Sequence, residues 1–190
     1  MRKASASKGE QAPPARTPER SAREISRTNS PDAPVVRHLQ RQVANAFLLY
    51  ANYKRYHWQS HGPLFRDLHR LFDELARDVQ GTLDVMAERL RMIGQDPVAT
   101  PAEVMETASV KPAPLGQNVR EMIESADAHA VTVIREMREA IEAAEEAEDP
   151  GTADVFTRFV QVHEKHEWWL RDLLEGDDGL VSQGGPRRAG

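Results

Sequence analysis

Cysteine is absent from the 190 residues. That excludes disulfides and thiolate metal ligands, and leaves histidine and carboxylate as the strong ligands the chain can offer. Long apolar runs are missing as well. Nothing approaches the roughly 18 consecutive apolar residues of a membrane-spanning helix. No apolar stretch follows the basic N-terminus, so no secretory signal is expected. A cytoplasmic location is the expectation, with nucleoid association if DNA is bound. No segment alternates apolar and polar residues over a useful length, which speaks against strands.

What is present is charge, unevenly spread. The formal net charge is −5. Residues 1–34 hold seven Lys/Arg and four Asp/Glu. The last ten hold Arg187 and Arg188 and no acid, so the body between carries −10. Residues 1–34 are rich in Ser, Pro, Ala and Arg with few large apolar side chains, and read as a disordered basic tail. Residues 35–176 are expected to form the folded unit, and 177–190 a flexible C-terminal tail.

The body carries four long helical patterns. The first spans about Val35 to Ser60, with Leu39, Val43, Ala46, Tyr50, Tyr53 and His57 on one face. Gly62-Pro63 breaks it. The second spans about Leu64 to Ile93 and stops at Gly94. TPAE at 100–103 has the form of a capping box and predicts a short helix in the connector. The third spans about Gln117 to Ala147. EDPGT then leads into the fourth, about Thr152 to Glu175. Four amphipathic helices with a long crossover between the second and third predict an all-α, ferritin-like four-helix bundle.

The second helix carries His69, Asp73, Asp84 and Glu88 beside its apolar stripe. At 100° per residue they lie at about 0°, 40°, 60° and 100° around the axis, on one face. Eleven residues separate Asp73 from Asp84, about 16 Å along a straight helix, so one ion with bonds of roughly 2 Å cannot use both pairs of one chain. The spacing is symmetric, however. His69 and Glu88, like Asp73 and Asp84, are equidistant from a point between Asp78 and Val79. Two such helices packed antiparallel about a two-fold axis place each pair opposite its complement, twice per dimer. His57, at the end of the first helix, can join from the His69 side. Two imidazoles and three carboxylates suit iron better than a closed zinc site, with zinc or manganese as substitutes. The alternative is a set of solvated charges on an amphipathic helix. The Glu-x-x-His pattern of a di-iron site inside one bundle is missing.

These residues resemble the Dps family of miniferritins. The resemblance covers about residues 35–175 and rests on KRYHWQSHGPLF at 54–65, HRLFDEL at 69–75, DVMAERLRMIG at 84–94 and HEKHEWWL at 163–170. It implies that His57, His69, Asp73, Asp84 and Glu88 are ferroxidase ligands, the first three from one subunit and the last two from its two-fold mate. It further implies a hollow dodecameric shell. Fe(II) would be oxidised there by hydrogen peroxide or O2 and stored as Fe(III) mineral, and DNA would be protected from oxidative damage. The sequence departs from the family at His61, at His163 and His166, and in its longer N-terminal tail.

Several residues carry two readings. Trp58 is an interface aromatic or an electron donor that quenches stray oxidant. His61 is a turn residue or an outer iron contact. His163 is a hydrogen-bonded core histidine or an accessory metal ligand; His38 and His129 are read as surface residues. Asp149 and Asp154 flank an acidic turn, which either is merely solvated or, as the resemblance implies, lines an iron-admitting pore; Asp154 is the stronger candidate. Arg2, Lys3, Lys8, Arg16, Arg20, Arg23 and Arg27 either solubilise the tail or, multiplied over a shell, bind DNA non-specifically. Two rival functions stand beside the ferroxidase: a DNA-compacting protein with a secondary metal site, and a helical oligomer with no chemistry.

Overall fold

The computed structural model describes residues 30, 31 and 33–174. It is all-helical, with no strand among the described residues. The order is α1 (Pro34–Gln59), α2 (Phe65–Met92), the short α3 (Pro101–Thr107), α4 (Val119–Glu146) and α5 (Pro150–Leu174). Of the expected tails, only residues 30, 31, 33 and 34 are described, and Pro34 already opens α1; the rest lie outside the described residues.

Helix ends follow local chemistry. Thr100 accepts the Glu103 amide while the Glu103 carboxylate accepts the Thr100 amide, so the predicted capping box closes over α3. Asn118 and Glu121 do the same for α4. That box places the start of α4 just past Gln117, where the sequence pattern began it. Helix α5 begins two residues earlier than Thr152. Asp149 accepts the Thr152 amide at 3.0 Å and acts as an N-cap, and Pro150 opens the helix. Between α4 and α5, Glu148 adopts φ 54°. This left-handed residue lets the Asp149 amide reach back to the Ala144 carbonyl at 2.9 Å.

Helices α1 and α2 pair as one hairpin and α4 and α5 as another; α1 also packs on α4, and α2 on α5. The core between them holds Leu39, Val43, Leu49, Tyr53, Phe72, Leu75, Val79, Met86, Met137 and Phe156. The expected stripe of α1 needs one correction. Tyr50 is exposed, and Leu49 takes the buried position, because the face turned to α2 and α4 is centred one residue earlier there.

The crossover between α2 and α4 is held by side chains of α1. Gln40 accepts the Val98 amide and donates to the Asp96 carbonyl. Asn45 accepts the Ser109 and Val110 amides. Asn52 accepts the Ala113 amide and donates to the Lys111 carbonyl. Below them the buried Glu136 carboxylate of α4 accepts from Gln42, Asn45 and Ser109 at 2.8–3.0 Å. Most buried polar groups in this layer are therefore paired.

Candidate metal centre on the first hairpin

The turn between α1 and α2 brings two distant histidines together. Gly62, at φ 82°, reverses the chain, and the Phe65 amide closes on the Gly62 carbonyl. A residue with a Cβ is strained in that conformation. The last turn of α1 then lies against the first turns of α2. His57 Nδ1 donates to the His69 carbonyl at 2.6 Å, and His69 Nδ1 donates to the His57 carbonyl at 2.8 Å. The rings stack with centroids 3.6 Å apart and planes 21° from parallel. A carbonyl oxygen only accepts, so both Nδ1 atoms carry hydrogen. Each neutral ring therefore keeps its lone pair on Nε2. That is the tautomer of a metal-ligating imidazole held by an outer hydrogen bond.

One turn further along α2, Asp73 is flanked by cations. Lys54 Nζ donates to one carboxylate oxygen and the Arg77 guanidinium to the other, each at 2.8 Å. The Lys54 contact first, and then that of Arg77, hold the carboxyl well below the usual carboxylate range. The oxygens are ionised and oriented. Arg77 is largely exposed, so its hold is weak and exchangeable. Spacing alone contained this signal, since Lys54 sits three residues before His57 and Arg77 four after Asp73. The sequence reading missed both.

Asp84 and Glu88 sit on the exposed side of α2. Among the described residues neither side chain makes a hydrogen bond or an ion pair, and within one chain no group of three or more His, Asp or Glu side chains converges on a common point. The structure thus brings His57 and His69 together, sets Asp73 one turn away, and leaves Asp84 and Glu88 at the far end of the same helix.

The remaining candidates are placed as follows. Trp58 is 70% exposed, with Lys54 Nζ 5.9 Å from its ring. His61 is exposed and donates to the Gln59 carbonyl. His163 is buried, and its pKa is pushed down to about 3, first by burial and then by His166. Its Nδ1 has no hydrogen-bond partner, so it is a core histidine without the expected bond. His38 and His129 are half-buried rather than surface residues, and burial lowers the pKa of each.

The two acidic-turn residues separate. Asp149 is 7% exposed, and its carboxylate is taken up by Arg89 at 2.6 Å and by the Thr152 amide and hydroxyl. That engagement corrects the reading of Asp149 as a pore carboxylate: it caps α5 and ties it to α2. Asp154 is exposed and pairs with Arg158 one turn on. The basic residues Arg2, Lys3, Lys8, Arg16, Arg20, Arg23 and Arg27 lie outside the described residues.

Residues 36–179 match the family model of the ferritin-like domain. A curated relative, the DNA protection during starvation protein of Brevibacillus brevis, is 40% identical over 137 residues, covering 72% of this chain and 92% of the relative. The X-ray structure of Dps from Thermosynechococcus elongatus superposes with a TM-score of 0.75 at 48% identity, covering 78% of this chain and 94% of that one. A Dps protein from Vibrio cholerae, described as a member of a broad superfamily of ferritin-like diiron-carboxylate proteins, is 26% identical with a TM-score of 0.71 over 74% of this chain and 89% of its own. With this bundle, this crossover helix and these relatives, the chain belongs to the Dps family of ferritin-like proteins.

Proposed function

We propose that the protein is a miniferritin that binds Fe(II) between two-fold related subunits, oxidises it and stores the ferric product in a hollow dodecameric shell. The observation that carries this reading is the reciprocal pair of hydrogen bonds between His57 and His69. Each ring spends its Nδ1–H on the other's carbonyl, which leaves both Nε2 lone pairs available to a cation. Asp73 adds an ionised carboxylate that needs only to exchange lysine and arginine for iron. Among the described residues Asp84 and Glu88 have no partner in their own chain, and their mirror spacing about Asp78–Val79 suits them to complete the partner's site.

Iron is the substrate. Two Fe(II) ions give up two electrons to hydrogen peroxide, and with two protons the products are two Fe(III) and two water molecules. Pairing the electrons avoids the hydroxyl radical that a single transfer would release. O2 is the alternative oxidant, and zinc or manganese would occupy the same ligands without supporting this turnover. Trp58, exposed and next to His57 in the chain, would donate an electron to quench stray oxidant near the irons. Asp154, exposed in the first turns of α5 and paired with the exposed Arg158, would attract Fe(II) at a pore.

The test is anaerobic Fe(II) loading followed by peroxide, with ferric absorbance and particle size recorded together. The expected result is rapid oxidation by a large shell, abolished in an Asp84→Ala/Glu88→Ala variant that still assembles. A large shell that oxidises iron no faster than buffer rejects the ferroxidase. The relatives' name, DNA protection during starvation, supports a second role in binding DNA. Removing residues 1–34 tests it: a gel shift that survives the truncation rules out the basic tail as the contact.

A further inference from the structure

A second histidine pair lies in the bundle core, away from the site above. His163 and His166 are one turn apart on α5 and are 1% and 0% exposed. Their rings meet edge to face with centroids 5.7 Å apart. From the diagonal helix α1, Tyr53 reaches His166 with centroids 6.3 Å apart, and it too is fully buried. His163 Nδ1, His166 Nδ1 and the Tyr53 hydroxyl all lack hydrogen-bond partners. Each such buried atom is destabilising unless something not of the protein satisfies it. The two imidazole nitrogens belong to rings one turn apart on α5, whereas the Tyr53 hydroxyl has Tyr56 and Asp127 as its electrostatic neighbours.

His166 shows what would fill the gap. Its Nε2 faces the Asp78 carboxylate at 3.1 Å. A carboxylate ionised at neutral pH only accepts, so Nε2 carries the hydrogen and Nδ1 keeps the lone pair, directed into the core. A carboxylate behind an imidazole whose other nitrogen is bare is the usual outer support of a metal ligand. The ring spacing agrees. An imidazole bound at 2.0–2.1 Å has its centroid roughly 3.2 Å from the ion, so two on one tetrahedral centre are roughly 5–6 Å apart. Burial lowers the pKa of both histidines, which keeps the imidazoles neutral, as a ligand must be. Asp78 is partly exposed at the α2–α5 seam, with Lys165 and Glu74 nearby, so the layer is one side chain from solvent.

We infer that His163 and His166, backed by Asp78, form a second, intrasubunit site for a divalent first-row transition ion of the zinc class, with solvent completing the coordination. It draws on none of the five proposed ferroxidase ligands and needs no partner chain.

The experiment uses the assembled full chain carrying Asp84→Ala/Glu88→Ala, so that two of the five proposed intersubunit ligands are gone, and titrates it with Co(II) under nitrogen. The expected result is about one Co(II) retained per chain, with the intense visible bands of a low-coordinate, nitrogen-bound ion. Adding His166→Gln or His163→Gln is expected to weaken that binding at least tenfold, and Asp78→Asn by a smaller factor. Cobalt anomalous diffraction from wild-type crystals should place a peak beside the His163 and His166 rings of α5, which does not depend on any core variant folding. No cobalt in the acid-deficient variant, binding indifferent to both histidine changes, or ordinary water at that point overturns the inference. None of these results bears on peroxide-driven iron oxidation, which is scored separately.

Discussion

The molecule holds two histidine pairs that differ in what surrounds them. His57 and His69 sit at a hairpin mouth, each Nδ1 tied to the other's backbone, their Nε2 edges free. His163 and His166 sit in the core with Nδ1 atoms that meet nothing. The first pair is oriented by backbone, so its geometry survives changes in side-chain packing. The second is oriented by packing and by Asp78. Imidazole chemistry here is set by which nitrogen the fold consumes.

The largest expected effect comes from breaking the first pair. His57→Ala deletes one lone pair and one of the two reciprocal bonds, and should lower the initial rate of peroxide-driven Fe(II) oxidation on the order of a hundredfold or more. Circular dichroism should stay helical, since the His69-to-His57 bond runs to backbone.

A control that touches neither pair is Asn45→Ala. It strands the Ser109 and Val110 amides and weakens the shell around Glu136. We expect a loss of about 2–3 kcal/mol in urea unfolding. Oxidation should be unchanged per folded shell.

The second pair should reveal itself through pH. Unfolded histidine takes up a proton near 6.5, whereas folded His163 does so only near 3. The unfolded chain therefore binds more protons in that window. The contribution of His163 to stability is complete above about pH 6.5 and is lost as pH falls toward 3. Between pH 7 and 5, in chelator, the wild type should lose about 2 kcal/mol more than a His163→Leu variant does. Equal slopes would place the ring in water.

The smallest effect sharpens the contrast at the first site. Arg77→Gln removes an exposed partner of Asp73. Stability should change by less than about 1 kcal/mol. Metal affinity at the His57 site should rise a few-fold, because one competing cation is gone.

Much of this was legible in the sequence. Helical periodicity located all four long helices to within about two residues, and TPAE announced α3 by its cap. The approach of His57 to His69 was legible because Gly62-Pro63 forces a hairpin that must stack the ends of two helices. The partners of Asp73 were missed although they lie three and four residues from recognised positions. Asp149 was misread because an acid in an acidic turn looks solvated until Arg89, sixty residues earlier, is seen against it. The network of Glu136 with Gln42, Asn45 and Ser109 has no sequence signature, since it joins three segments whose spacing only the fold decides. His166 stood out in the sequence as a departure from the family pattern, but its contact was not legible, because its partner Asp78 lies on another helix.

The crossover has a further consequence. Between α3 and α4 it has no regular secondary structure, yet its Ser109, Val110 and Ala113 amides donate to asparagine oxygens of α1. Seen by the solvent, this stretch is a strand whose partner is made of side chains. Its amides should exchange with deuterium on the timescale of the helices beneath it, and a protease should find no foothold there until α1 itself lets go.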